Sequence, residues 1–269
     1  MKKAVLFLLS CIFLAIFCVS AYLIYDTLSG YRAGEEVYDD LKQYSPHRMP
    51  AGDKSEQTVS SGTSSAGSAE ESEGSGESKP PQVVNEWFSA LARINPDVAG
   101  WIYLEGCGID YPIVQAADND YYLTHLFNGD KNKSGSIFLD FRNDSAFTDR
   151  NSVIYGHHMN NGSMFAGIVK YGDQAFYDAN PTFELYTPWE SCTVQIFAGY
   201  AADLQDEAWV LRLEDDADFE QWLDERIRKS AFQSDIRPSA GDRIITLSTC
   251  TNTSHDTRFV LFGVISGGS

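Results

Sequence analysis

Eight short runs rich in Val, Ile, Phe and Tyr follow one another between positions 101 and 265, each closed by Gly, Asn, Asp or Pro, and this punctuation restricts the fold more than any other feature. They fall at 101–104, 109–114, 136–140, 152–155, 182–187, 192–201, 243–250 and 259–265. β-Branched and aromatic runs of this length, bounded by turn formers, read as strands. Eight of them predict a mainly β domain, a barrel or a sandwich. Helical patterns are brief at 119–126 and 164–171, and longer at 216–231, where Phe219, Trp222, Leu223 and Ile227 share a face and Glu220, Asp224, Glu225 and Arg228 face water. Ahead of the strands, Val84, Trp87, Phe88 and Leu91 make an apolar stripe at helical spacing, and Asn95-Pro96 ends that helix.

The rest of the chain divides by composition. After Met1-Lys2-Lys3, an apolar run reaches about Tyr25, close to the ~20 residues that cross a bilayer as a helix. We read residues 1–25 as an uncleaved transmembrane anchor; Val19-Ser20-Ala21 is a passable cleavage site, but the apolar run is longer than a signal peptide needs. The two lysines put the N-terminus in the cytoplasm and everything after Tyr25 outside. Residues 26–50 form a juxtamembrane segment in which Val37, Leu41 and Tyr44 fit one helical face, stopped by Pro46 and Pro50. Residues 51–81 are Ser, Gly and Glu almost throughout. Such a stretch cannot bury enough surface to offset its ordering entropy, so it is expected to be a disordered tether giving reach from the membrane. The packable core lies in residues 82–269.

Net charge is −18, and from Gln82 onward 27 acidic side chains face 13 basic ones. Phosphate binding needs clustered Lys and Arg, so a nucleic-acid partner is excluded. An acidic surface serves solubility, or attracts cationic groups such as amines. The acidic residues at 203–218 lack the spacing of a Ca²⁺ loop, and neither a metal nor a cofactor is expected.

Of the five cysteines, Cys11 and Cys18 lie in the apolar N-terminal run, where they act as apolar fillers. Cys107, Cys192 and Cys250 remain, an odd number, so at least one thiol stays free or pairs between chains. Cys107 and Cys192 are inert structural thiols or a disulfide pair. Cys250 closes the run Ile244-Ile245-Thr246-Leu247-Ser248-Thr249-Cys250, and after seven intervening residues Arg258-Phe259-Val260-Leu261-Phe262 opens the next. If these strands are antiparallel neighbours, Cys250 and Arg258 meet at one end of the sheet. A cation beside a thiol favours the thiolate, the nucleophilic form. Such a nucleophile needs a proton-transfer partner. His47 precedes the tether and His125 sits on a short predicted helix, leaving His157, His158 and His255; His157 follows Val153-Ile154-Tyr155-Gly156 at a strand end.

Thr246-Leu247-Ser248-Thr249-Cys250, Tyr155-Gly156-His157-His158-Met159 and Arg258-Phe259-Val260 together resemble the three signature segments of the sortases, membrane-anchored cysteine transpeptidases of Gram-positive bacteria. The Leu-Ser-Thr-Cys wording, the N-terminal helix and the longer helix before the cysteine strand are similar to class B. The resemblance implies a closed eight-stranded β-barrel with Cys250 as nucleophile, His157 as general acid and base, and Arg258 as substrate and oxyanion clamp. It also implies that Tyr155, Ser248 and Thr249 line the substrate groove. The implied reaction cleaves a C-terminal sorting motif after Thr and passes the acyl group to an amine. Its partners would be surface proteins or pilins bearing that motif, with a peptidoglycan precursor or a pilin lysine supplying the amine. Thr251 stands where some relatives carry an acidic residue; Asn252 or Asp256 would replace that contribution, and His255 and Asp256 would flank the groove. Two alternatives stay open on the residues alone: a cysteine protease or amidase that uses water as acceptor, and a surface-anchored binding domain in which Cys250 is buried and inert.

Overall fold

The computed structural model describes residues 2–48, 85–213, 215–250 and 256–268. The tether expected at 51–81, Val84 of the predicted stripe, and Thr251, Asn252 and His255 lie outside the described residues. The eight expected strands are all present: β1 (Val98–Leu104), β2 (Ile109–Val114), β3 (Ile137–Leu139), β4 (Asn151–Tyr155), β5 (Thr182–Tyr186), β6 (Ser191–Asp203), β7 (Ile244–Cys250) and β8 (Thr257–Gly268). They close into one barrel in the order β1-β2-β3-β4-β7-β8-β6-β5. Closure pairs every strand on both sides and removes the sheet edges. A barrel, not a sandwich, is therefore the outcome.

Alternation along β8 shows why this sequence needs two packing layers. Phe259 and Leu261 belong to the barrel interior, whereas Val260, Phe262 and Val264 belong to a second cluster beneath a helix. Side chains alternate across a strand, so a strand with no polar positions in this stretch must be covered on both faces. The cover is α4 (Asp216–Lys229), whose Phe219, Trp222 and Leu223 are buried. Trp222 meets Phe262 edge-on with ring centroids 5.7 Å apart, a favoured aromatic geometry. Asp215 caps the helix by accepting from Ala217 N and Asp218 N. Arg226 on the same helix is fully buried and pairs with Asp206 at 3.3 Å; nothing in the helical pattern of charges signals that burial.

Two of the expected helices shrink. At 119–126 only the 3₁₀ turn Tyr121–Leu123 forms, because the Asp118 carboxylate takes the N–H groups of Asp120 and Tyr121 and offers the backbone an alternative to an α-helix. At 164–171 the chain forms the 3₁₀ segment Ala166–Gly172, followed by a short α3 (Gln174–Ala179) that the pattern does not suggest. The helix before β1, α2 (Glu86–Ile94), buries Trp87 and Leu91 as its stripe requires.

The N-terminal helix departs most from the sequence reading. Anchor and juxtamembrane segment are one continuous helix, α1 (Lys2–Leu41), extended by the 3₁₀ turn Lys42–Tyr44. Its N-terminal part is long and apolar enough to cross a membrane. Its C-terminal end is docked on the barrel. Tyr38 and Leu41 are buried, with Val37 and Tyr44 packed against the same core. The Tyr38 hydroxyl donates to the Gly135 carbonyl at 2.6 Å and lies 3.0 Å from Ser136 Oγ. Ser45 Oγ donates to Asp110 at 2.9 Å, Arg48 pairs with the same carboxylate at 3.0 Å, and the His47 ring stacks on Tyr103. The segment 49–84 therefore leaves a chain already seated on the barrel and returns to it at α2.

Candidate active site

Strand register assembles the three sequence candidates. In the antiparallel β7–β8 ladder Cys250 is the direct partner of Arg258, at the last rung before the connecting loop. In the parallel β4–β7 ladder Tyr155 is the partner of Ser248, and Gly156 N extends the pairing to the Ser248 carbonyl at 3.1 Å. His157 follows two residues after the end of β4, and Cys250 two residues after Ser248 at the end of β7. The backbone thus gathers Cys250, His157 and Arg258 at one end of the barrel, where β4 and β7 both finish.

Gly156 is what lets His157 leave the strand where it does. A Cβ at this position would lie 2.5 Å from Ile137 Cδ1 and 2.7 Å from the Phe165 ring. Only glycine fits against that packed ring. Beyond it, Phe165 N donates back to the His157 carbonyl at 2.9 Å, and His158 bridges to Met164, whose φ of 58° lies in the left-handed region. The loop between is closed on itself and holds the His157 backbone. The imidazole Nε2 is 2.7 Å from the Leu123 carbonyl oxygen. A carbonyl only accepts, so Nε2 carries the proton and Nδ1 is the nitrogen left for exchange.

A cleft of about 380 Å³ opens over this end of the barrel, lined by His157, Arg258, Tyr155, Ser248 and Thr249. These five are candidates from the sequence. The others on its walls were not anticipated: Asn119, Asp120 and Leu123 on the loop before β3, Phe138 on β3, and Leu204 and Trp209 on the β6–β7 connection. Trp209 ends the 3₁₀ turn Glu207–Trp209 and donates its indole N–H to Ser248 Oγ at 2.9 Å. Ser248 therefore holds a cleft wall in place. Thr249 is buried, and its Oγ1 makes no hydrogen bond among the described residues. Arg258 is half-buried and donates to the Thr257 carbonyl at 3.1 Å.

His125, Cys107 and Cys192 do not line this cleft. His125 lies flat on Tyr121, with ring centroids 4.1 Å apart, and shares a hydrogen with the Tyr121 carbonyl. Cys107 and Cys192 are both free and buried, so of the two readings the structural thiol holds and the disulfide does not. Burial pushes the Cys107 thiol up to about 12 and the Cys192 thiol up to about 11. Both stay protonated at neutral pH, as inert thiols should. No group of three or more His, Cys, Asp or Glu side chains suited to a metal ion occurs among the described residues.

The family model of the sortase domain matches residues 102–266. The chain is 41% identical to sortase B of Listeria monocytogenes over 167 residues, covering 62% of this chain and 68% of that protein. It is 36% identical to sortase B of Staphylococcus aureus over 180 residues, covering 67% and 74% respectively. It superposes on a Staphylococcus aureus sortase B–substrate complex with a TM-score of 0.72 at 30% identity, covering 88% of this chain and 98% of that one. A closed eight-stranded barrel with this match over most of its length belongs to the sortase family. Within that family the relatives are of class B, and the protein is a sortase transpeptidase.

Proposed function

We propose that Cys250 is the nucleophile of this transpeptidase and that it cleaves a C-terminal sorting motif after Thr. The thiolate adds to the Thr carbonyl, and the resulting oxyanion is steadied by the planar donor fork of Arg258. His157, having taken the Cys250 proton on Nδ1, delivers it to the leaving amine as the tetrahedral adduct collapses to a thioacyl enzyme. An incoming amine, losing its proton to His157, then attacks the thioester and frees Cys250. The amine comes from a peptidoglycan precursor or from a pilin lysine. Tyr155, Ser248 and Thr249 line the groove for the motif.

The observation that supports this best is the pair of registers Cys250–Arg258 and Tyr155–Ser248, which brings the three residues to one mouth of the barrel. Cys250→Ala should abolish thioacyl formation on a sorting-motif peptide. Hydrolysis and transfer differ only in the second nucleophile. Products formed with and without triglycine therefore separate a transpeptidase from an amidase that uses water.

For the whole chain we propose an anchor at 1–25 with its N-terminus in the cytoplasm, a juxtamembrane segment at 26–50, a tether at 51–81 and an extracellular catalytic domain at 82–269. The contacts of Tyr38, Ser45 and Arg48 support one change of role for the tether. With the helix already seated on the barrel, α1 rather than 51–81 sets the height of the cleft above the membrane.

A further inference from the structure

Asp140, the residue after β3, has no solvent exposure on its side chain, yet it is a carboxylate beside the substrate cleft. Burying a charge is expensive unless every lone pair is used. Here they are. Oδ1 accepts from Arg142 Nε at 2.8 Å and Arg142 N at 3.0 Å; Oδ2 accepts from Arg142 NH2 at 2.8 Å, Asn119 Nδ2 at 3.0 Å and the Tyr155 hydroxyl at 3.1 Å. Burial opposes ionisation, but the donated hydrogen bonds outweigh it and hold the Asp140 carboxyl below the ordinary carboxylate range. Burial, reinforced by this carboxylate, pushes the Tyr155 phenol up, so it stays neutral.

Two of those donors, Asn119 and Tyr155, are cleft walls on opposite sides of β3. Tyr155 has a single O–H, and Asp140 takes it. With that proton taken, and the Arg142 guanidinium also against the phenol oxygen, what Tyr155 has left to offer is a lone pair. Asn119 is fixed at both ends of its amide, because its Oδ1 accepts from Phe141 N at 3.0 Å while Nδ2 is held by Asp140. The carboxylate therefore sets both the position and the polarity of two groups that face the substrate.

We propose that Asp140 is a positioning residue for the acyl-donor peptide: it turns Tyr155 into a hydrogen-bond acceptor, so that the site selects a peptide offering an N–H there, a backbone amide or a side-chain carboxamide. This rests on the cleft being the sorting-motif groove. It concerns the donor alone, since the side-chain hydrogen bonds of Asp140 go to Arg142, Asn119 and Tyr155 and not to His157.

The test uses the full-length enzyme in detergent and a panel of quenched hexapeptides with Thr fixed at the fourth position, the best-cleaved member serving as donor and triglycine as acceptor. Asp140→Asn keeps the size of the side chain and removes the charge that orders the hydroxyl. The expected result is a donor KM raised about tenfold, kcat within about threefold of the parent, and an unchanged triglycine KM. Tyr155→Phe should match it, and the double variant should be no worse than either single one, because both remove the same acceptor. An unchanged donor KM in Asp140→Asn, additive losses in the double variant, or a loss confined to kcat would overturn the proposal. If Asp140→Asn does not fold, Tyr155→Phe decides alone, a raised donor KM supporting the proposal and an unchanged one refuting it. A parent enzyme that cleaves no peptide of the panel would contradict the groove assignment itself, a result distinct from any of these.

Discussion

His157 donates from Nε2 to the carbonyl of Leu123 across 2.7 Å, which ties the imidazole to the loop that forms one wall of the cleft. The bond fixes the tautomer, leaves Nδ1 to handle the proton, and keeps an acceptor on Nε2 when the imidazolium forms. Nitrogen NMR of histidine-labelled enzyme should find Nε2 protonated in the neutral resting state. A resting Nδ1–H tautomer would contradict that assignment. Removing the ring with His157→Ala should lower kcat/KM for transfer by roughly 10²–10⁴, the usual contribution of a positioned acid and base.

The two buried thiols give Cys250 a clean background. Cys107 and Cys192 have their ionisation pushed up to about 12 and about 11 by burial. The sign is that both remain thiols through pH 7–9, and only thiolate reacts. In a chain with Cys11 and Cys18 replaced by Ala, iodoacetamide at pH 7.5 should modify one position, and Cys250→Ala should remove the labelling. Modification of Cys107 or Cys192 in the folded enzyme at that pH would show that their burial is not maintained.

Gly156 is predicted to be nearly irreplaceable. Gly156→Ala drives a methyl group into Phe165 and Ile137, and overpacking of this kind costs about 1–3 kcal/mol. Thermal unfolding should register the loss. Because the displaced residue precedes His157, transfer should fall further than the stability loss explains. A variant that is fully active and equally stable would mean that the strand end is more pliable than its packing indicates.

Docking of α1 makes a separate prediction. Tyr38→Phe leaves the Gly135 carbonyl without its buried donor, a loss of about 1–2 kcal/mol. Amide exchange over 36–44 should accelerate about tenfold while the barrel strands keep their protection. Halving the length of 51–81 should leave that exchange, and activity toward a membrane-held donor, unchanged. Loss of activity on shortening would return to the tether the role of providing reach.

Much of this was legible before any coordinates. β2 runs over the same six residues as its apolar run, because Gly108 and the polar residues after Val114 punctuate it on both sides. The Cys250–Arg258 pairing followed from two runs joined by a short polar loop. What escaped was whatever depends on a long-range partner. Asp140 lies at the end of a predicted strand and looks like an ordinary strand-closing aspartate; its value comes from Asn119 and Tyr155, 21 and 15 residues away. Arg226 sits among solvated charges in the sequence, and only Asp206 and the face of Trp222 explain its burial. Trp209 is one aromatic in an acidic stretch of the sequence, and its tie to Ser248 spans 39 residues. The continuous α1 was missed because a change of composition near position 26 is not a change of helix: the backbone bonds run through it, and Tyr38 and Leu41 find the barrel beyond.

Intact mass spectrometry of the enzyme quenched in acid during turnover of a sorting-motif peptide tests the central claim most directly. The account predicts an added mass equal to the donor fragment ending in Thr, located on Cys250 by peptide mapping, discharged by triglycine and absent from Cys250→Ala. A donor cleaved at the parent rate by Cys250→Ala, or an acyl group mapped to any other residue, would contradict it.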